Sequence, residues 1–169
     1  MGNNKMNSIA GIFIIIIVLS LFGCDKNGTE IDDEQILQIR SEAIDTLIIG
    51  ANSFVLEAYL WRDFMPVSPK NGRPMVSINW LISTDSVDIP DNIKMVKQYV
   101  FYDELIWEVN YVNEVSAPSL PKYKMERISR NGPKWGPKIY VDVISQIYDS
   151  NTNKNYYIER KEVYVERTD

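Results

Sequence analysis

The stretch from Ser53 to Trp61 has the sequence Ser-Phe-Val-Leu-Glu-Ala-Tyr-Leu-Trp. Every second residue from Phe54 to Leu60 is apolar, and these residues alternate with a second set that includes a glutamate. A period of two places such residues on one face of a β-strand. The stretch therefore predicts a strand packed against a core, which Pro66 ends.

Further segments rich in β-branched and aromatic residues also predict strands. They are Asp45 to Ile49, Met75 to Leu81, Ile93 to Phe101, Leu105 to Val112, Ile139 to Tyr148, Tyr156 to Ile158 and Val163 to Val165. The first of them is ambiguous, because Gln35 to Ile49 also has helical spacing. Short strands separated by frequent turn signals predict an all-β fold, a sandwich of antiparallel sheets with about seven strands.

The composition excludes several classes of function. The 169 residues include no histidine and one cysteine, so serine-histidine and cysteine-histidine catalysis are excluded. The usual zinc sites need imidazole or thiolate ligands, which leaves only an all-oxygen site for a hard cation. The net charge of −5 gives no long-range attraction to nucleic acid. We therefore expect a protein that is not an enzyme and has no cofactor and no metal.

The N-terminus has the organisation of a bacterial lipoprotein signal. Lys5 precedes an apolar run, Ile9 to Leu19, which is shorter than the roughly 20 residues of a membrane-spanning helix. The run leads into Leu21-Phe22-Gly23-Cys24, which resembles a lipobox. We expect a cleaved signal peptide (1–23), a lipidated Cys24 with a flexible acidic tether (24–34) and a single β-sandwich domain (35–169). An uncleaved membrane anchor is the alternative.

Lipid on Cys24 predicts a protein anchored in the cell envelope, with the membrane as its first partner. Acidic residues after the cysteine resemble the export signals of surface lipoproteins of the Bacteroidota type. The resemblance implies the outer membrane and leaves open whether the domain faces the periplasm or the cell surface.

The candidate binding surface contains cations and aromatic rings. Arg62 follows a predicted strand, and its guanidinium is suited to grip a carboxylate or a sugar, or else to pair with Asp63 and pin the following loop. The segment 118–138 is basic and bounded by prolines. It predicts a surface that binds anionic polysaccharide, lipid headgroups or an acidic protein. The alternative is a solvated loop between the two sheets. The residues of this segment in the candidate surface are Tyr123, Arg127, Arg130, Lys134 and Trp135.

Three other constellations have weaker signals. Asp149, Asn151 and Asn153 have the spacing of calcium ligands, but a lysine replaces the required glycine, which favours a polar turn. Glu104 and Glu108 could serve as an acid pair, although they fall at a predicted hairpin. Four tryptophans could form a platform for sugars, but three lie in strands, where we expect burial in the core. They are Trp61, Trp80, Trp107 and Trp135.

Three segments, Tyr59 to Pro66, Gly132 to Pro137 and Val141 to Val143, resemble a group of small bacterial envelope lipoproteins. The resemblance implies an immunoglobulin-like sandwich and no established activity. We therefore expect a lipid-anchored, non-enzymatic module that binds or assembles with an envelope protein or a glycan. A carbohydrate-binding accessory protein that uses Tyr123 and Trp135 is the first alternative, and an acid-based glycosidase is the second.

Overall fold

A computed structural model describes residues 33–111 and 120–169 of the chain. They belong to one compact unit, Asp32–Asp169. In chain order, the described elements are α1 (Asp33–Glu42), β1 (Thr46–Ile49), β2 (Asn52–Asp63), β3 (Met75–Ser83), β4 (Ile93–Tyr102), β5 (Leu105–Asn110), β6 (Lys124–Gly132), β7 (Tyr140–Asp149) and β8 (Lys154–Thr168). The prediction of an all-β, sandwich-like fold is confirmed.

The strands form one curled sheet in the order β5-β4-β7-β8-β2-β3-β6, and β1 pairs with the first part of β2. The pairs are antiparallel except that of β2 with β8, which run parallel over Leu60–Asp63 and Val165–Thr168. β8 has 15 residues, and at about 3.3 Å per residue it extends roughly 50 Å. This length lets β8 pair first with β7 and then with β2, so it joins the two layers of the sandwich.

β8 is continuous where the sequence predicted two separate strands. Charged residues between Ile158 and Val163 interrupt the apolar pattern there. The structure contains a register shift opposite Val141, and Glu162 has a φ of 54°. The backbone N–H of Glu162 donates to Asp142 Oδ1 at 3.1 Å. An irregularity of this kind bends a strand without ending it, which is how β8 turns from one layer into the other.

The structure resolves the ambiguity of residues 35–49. The helical spacing belongs to α1, whose Ile39 is buried, and the predicted strand is confirmed as β1. Asp33 and Glu34, the last two residues of the predicted tether, instead form the first turn of α1. Carboxylates are favourable there because the N-terminus of a helix carries partial positive charge. The rest of the tether, Cys24 and the signal peptide lie outside the described residues.

The basic segment 118–138 contains a strand that we did not predict. β6 pairs antiparallel with β3 and occupies nine residues of the stretch that we interpreted as a loop, so this part of the prediction is wrong. β6 is the last strand on its side of the sheet. Edge strands tolerate charged side chains well because one side of the strand has no neighbour, and the charges hid the strand pattern. Within the described part of this segment, residues 120–123 before β6 and residues 133–138 after it lie outside strands.

The core fills the space between the two layers and reaches the seam where the edge strands β5 and β6 approach each other. Its buried residues are Leu47, Phe54, Leu56, Leu60, Met75, Leu81, Ile93, Met95, Val100, Trp107, Val141, Val143, Ile147, Ile158, Val163 and Val165. At the seam, the ring of Trp107 on β5 lies against Gly132 at the end of β6. A Cβ atom at Gly132 would lie 2.6 Å from that ring. The absence of a side chain at Gly132 therefore allows the sheet to curl this tightly.

Replacing Gly132 by alanine is expected to lower the free energy of unfolding by about 1–3 kcal/mol, because the buried ring of Trp107 must move to admit the methyl group. Urea denaturation measures the change. Alanine at the exposed strand residue Asn155 is the control and is expected to change the value by less than about 0.5 kcal/mol. An unchanged or higher stability of the Gly132 variant would show that Trp107 is not packed against β6.

Candidate functional site

Strand β3 buries its three polar residues together with two apolar ones, and its other four apolar residues lie on the opposite, less buried face. Its buried residues are Met75, Ser77, Asn79, Leu81 and Ser83. The alternate residues are less buried, and they are Val76, Ile78, Trp80 and Ile82. An amphipathic strand normally shows the opposite arrangement, with its most apolar face toward the core. β3 therefore creates two unusual features, an apolar surface on one side and a polar interior on the other.

The apolar side of β3 continues onto its two neighbours. Residues directly opposite each other on antiparallel strands share a face, and the register places Tyr59 beside Ile78 and Ile78 beside Ile128. We call this surface the outer face, and its residues are Val55, Tyr59, Trp61, Val76, Ile78, Trp80, Ile82 and Ile128. The rings of Tyr59 and Trp61 stack with their centroids 5.4 Å apart and an interplanar angle of 27°. Tyr59 is 41% exposed, and the others are half-buried.

Charged side chains surround Trp80 on the outer face. The indole Nε1 donates to Glu126 Oε2 at 2.7 Å. Lys124 Nζ lies 5.1 Å from the centroid of the indole ring and 3.5 Å from Glu57 Oε2. Exposed pairs of this kind contribute little to folding stability. They do give the apolar surface a rim that carries both signs of charge.

The polar side of β3 forms part of what we call the interior polar cluster. Its residues come from four strands and from the position just after β5, and they are Ser77, Asn79, Gln98, Tyr111, Arg127, Ser129 and Ser145. Asn79 Nδ2 is the hub, at 3.0 Å from Ser77 Oγ, 2.5 Å from Gln98 Oε1 and 2.9 Å from Tyr111 Oη. Tyr111 Oη lies 2.7 Å from Ser145 Oγ. The two layers are therefore joined by polar contacts at this level and not by apolar packing.

β6 supplies the other two members of the cluster. The register places Arg127 opposite Asn79 and Ser129 opposite Ser77. Burial raises the pKa of the Tyr111 hydroxyl well above its ordinary value, while hydrogen bonds from Ser145 and Asn79 and the positive charge of Arg127 oppose the shift. Four enclosed polar atoms have no hydrogen-bond partner among the described residues. They are Asn79 Oδ1, Gln98 Nε2, Arg127 Nε and Ser129 Oγ.

Arg62 lies in the interior and does not belong to an exposed binding surface, because only 3% of it is exposed. Its guanidinium donates to the carbonyl oxygens of Asn71, Arg73, Lys134 and Gly136. Burial lowers the pKa of this guanidinium from its ordinary value. Asp63 pairs with Arg73 at 3.2 Å, and no pair of Asp63 with Arg62 occurs among the described contacts. Arg62 therefore ties the loop after β2 to the loop after β6.

The structure brings only some of the predicted surface residues together. Lys134 and Trp135 share a loop whose carbonyl groups bind Arg62, and the ring of Trp135 lies 6.0 Å from that of Tyr102. Tyr123 precedes β6, and its carbonyl accepts from the N–H of Ser83. Because β6 has nine residues, roughly 27 Å of strand separates Tyr123 from the loop of Trp135. The predicted residues therefore do not converge on one surface.

The two arginines on β6 also separate. Arg130 is exposed, whereas Arg127 lies on the face of β6 that also carries buried Ser129. Arg127 thus belongs to the interior polar cluster. Of the tryptophans, only Trp107 is a buried core residue, so the expectation of core burial is wrong for Trp61 and Trp80, which lie on the outer face.

The weaker candidates have structural partners. Glu108 forms an ion pair with Lys97, and Asp149 accepts hydrogen bonds from Asn92 Nδ2, the backbone N–H of Asn151 and Thr152 Oγ1. These bonds cap a polar turn and lower the pKa of Asp149, chiefly through Thr152 and Asn92. Within residues 33–111 and 120–169, no three histidine, cysteine, aspartate or glutamate side chains are grouped so that they could hold a metal ion.

A charged groove of about 440 Å³ lies between β1 and β8. Asp45, Glu159 and Lys161 are among the residues that line it. Lys161 Nζ pairs with Glu159 Oε1 at 2.8 Å, and this hydrogen bond is the main cause that raises the pKa of Lys161. The groove therefore satisfies its own charges.

The outer face and most of the interior polar cluster were not predicted from the sequence. A signal was present, because β3 alternates apolar Val76, Ile78 and Trp80 with polar Ser77 and Asn79. The pattern shows that β3 has two faces. It could not show which face is inside, because Met75 and Leu81 occur on the same face as the polar residues.

A scan against protein-family models, a search of curated proteins and a search of solved structures found no match to this chain. In the part of the chain that the structure describes, no helix is both long and apolar enough to cross a bilayer. The fold and the site define an all-β, sandwich-like protein with an apolar sheet face.

Proposed function

We propose that this protein is a non-enzymatic binding module of the cell envelope, anchored by lipid on Cys24, that binds a partner protein on the outer face. The observation that supports this proposal most is the reversed arrangement of β3. Contiguous apolar surface on a folded protein marks an interaction site, because apolar side chains that remain in water add nothing to folding. The outer face contains eight apolar side chains on three adjacent strands, of which Tyr59 is exposed and the others are half-buried.

The composition of the outer face favours a polypeptide as the partner. Five of its residues are aliphatic, and aliphatic side chains offer no flat ring on which a sugar can stack. They are Val55, Val76, Ile78, Ile82 and Ile128. An apolar centre with aromatic residues and a charged rim is the usual anatomy of a protein interface. The rim of Glu57, Lys124 and Glu126 complements a partner that has an apolar patch bordered by both signs of charge.

Anchoring through Cys24 supports an assembly role. A lipid-modified cysteine and a short tether would hold the domain close to other proteins of the same membrane, and such tethering raises the effective concentration of the partners. The composition supports a role without catalysis, because the chain has no histidine and its one cysteine is the predicted lipid site.

The proposal predicts that Ile78→Asp weakens partner binding at least tenfold, because a carboxylate at the centre of the face would be buried without a counter-charge. A photo-crosslinking amino acid in place of Tyr59, in the full-length chain in its native envelope, measures binding. The same group in place of Lys94, an exposed residue on β4, is the control and is expected to give no adduct. A Tyr59 adduct that persists unchanged in the Ile78→Asp variant would contradict the proposal.

Two further measurements distinguish a partner protein from other occupants of the outer face. Sedimentation is expected to show a monomer. A dimer that dissociates in the Ile78→Asp variant would show that the outer face binds a second copy of the chain and not a different protein. A glycan array tests the carbohydrate alternative, for which the stacked rings of Tyr59 and Trp61 are the one favourable feature. Glycan binding that is lost in Trp61→Ala and retained in Ile78→Asp would contradict a protein partner.

A further inference from the structure

We propose that the interior polar cluster is a binding site for a small carboxylate, distinct from the outer face. Five of its seven residues are almost completely buried, with exposed fractions between 0 and 3%. They are Ser77, Asn79, Gln98, Ser129 and Ser145. A domain of this size normally fills such a position with apolar side chains, because buried polar atoms that lack partners lower stability.

The chemistry of the ligand follows from the atoms that lack partners. Gln98 Nε2 and Arg127 Nε are donors, and Ser129 Oγ can donate, whereas Asn79 Oδ1 is the one pure acceptor. Three available donors beside one acceptor favour a ligand that is rich in acceptors. A carboxylate has two oxygens with about four lone-pair positions, which suits this set. The acceptor Asn79 Oδ1 favours a hydroxyl next to the carboxylate.

The charge of the cluster favours an anion over a neutral molecule. Arg127 is the only ionised member, and its Nη1 donates a hydrogen bond to the backbone carbonyl of Glu126. Among the described ion pairs, none joins Arg127 to a carboxylate. A hydrogen bond between a guanidinium and a carboxylate is about twice as strong as one between neutral groups. An anionic ligand would therefore gain most of its binding energy at this residue. Water would satisfy the donors without neutralising the charge.

Two members of the cluster lie beside the seam between the edge strands β5 and β6. Tyr111 directly follows β5, Arg127 belongs to β6, and both are half-buried, unlike the five enclosed residues. β5 and β6 stand at opposite ends of the strand order and are not hydrogen-bonded to each other. A ligand that enters between these two edge strands would separate no hydrogen-bonded strand pair.

The test uses the full mature chain and measures binding of glycolate, acetate and inorganic phosphate by calorimetry. Glycolate is expected to bind, and Arg127→Gln is expected to weaken its binding at least tenfold, because a charge-assisted hydrogen bond is lost. Arg130→Gln is the matched control, since it removes the same charge from the exposed face of the same strand and is expected to change the affinity less than twofold. Urea denaturation confirms that both variants are folded.

A second measurement does not depend on any variant. The side-chain amide signals of Gln98 are expected to shift on addition of glycolate in an NMR titration of the unmodified protein. The proposal is overturned if millimolar glycolate and acetate shift no cluster signal, if phosphate binds more tightly than either carboxylate, or if Arg130→Gln weakens binding as much as Arg127→Gln. A structure determined with glycolate present that contains only water in the cluster would overturn it as well.

Discussion

Replacing Arg62 by alanine is expected to lower the free energy of unfolding by about 3–5 kcal/mol, because several hydrogen bonds from one buried, charged side chain are lost together. The guanidinium bonds the carbonyls of four residues in two loops. Without it, these acceptors lose their charged donor, and a hydrogen bond to a charged group contributes about 1.5–3 kcal/mol. Phe64, whose ring centroid lies 5.0 Å from the guanidinium carbon, also loses its contact.

Urea denaturation of the Arg62→Ala variant measures this loss. Arg62→Lys is expected to restore only part of the stability, because an ammonium lacks the planar fork that reaches both loops at once. Arg73→Ala is the control, since Arg73 is exposed and its pair with Asp63 is largely solvated. Equal effects of Arg62→Ala and Arg73→Ala would show that the four buried contacts do not stabilise the fold.

Replacing Cys24 by serine is expected to abolish lipid attachment completely and to leave residues 1–23 on the chain. The reason is chemical, because the thioether to diacylglycerol forms on the sulfur, and removal of the signal follows that step. Each buried methylene of an acyl chain contributes about 0.8 kcal/mol to membrane binding, so several chains anchor a protein durably. Intact-mass spectrometry of protein from the native envelope measures both the lipid and the leader.

The matched control is Phe22→Ala, which changes the lipobox but keeps the cysteine. This variant is expected to be lipidated and cleaved like the unaltered chain. A Cys24→Ser protein with the same mass shift as the parent, or a parent that has a free thiol, would contradict the predicted anchor and the membrane location.

Strand positions were largely predictable because alternation depends on local geometry alone. β2, β3, the β4–β5 hairpin and β7 lie within a few residues of their predicted bounds. β6 was missed because its charged residues are typical of a solvated loop, and an edge strand tolerates them. β8 was divided in two because its bend places charged residues in the middle of the strand.

The candidate site was less predictable, because it depends on contacts between distant segments. The position of Arg62 after a predicted strand indicated a surface residue. In the structure, two loops fold around its side chain and make it a buried hydrogen-bond donor. Arg127 and Arg130 are three residues apart in one basic segment, yet one joins the interior polar cluster and the other is exposed. The sequence contains no signal for the bonding partners of either residue.

The amino-acid sequence by itself determined that the chain builds strands, that it has no histidine, and that its single cysteine is Cys24. Only the tertiary structure decided which side of β3 faces the core. The physical reason is that alternation defines two faces of a strand, whereas the choice between them depends on what the opposite layer offers. Here that layer offers Gln98 and Ser145, so Asn79 is inside and Ile78 and Trp80 are left on the outer face.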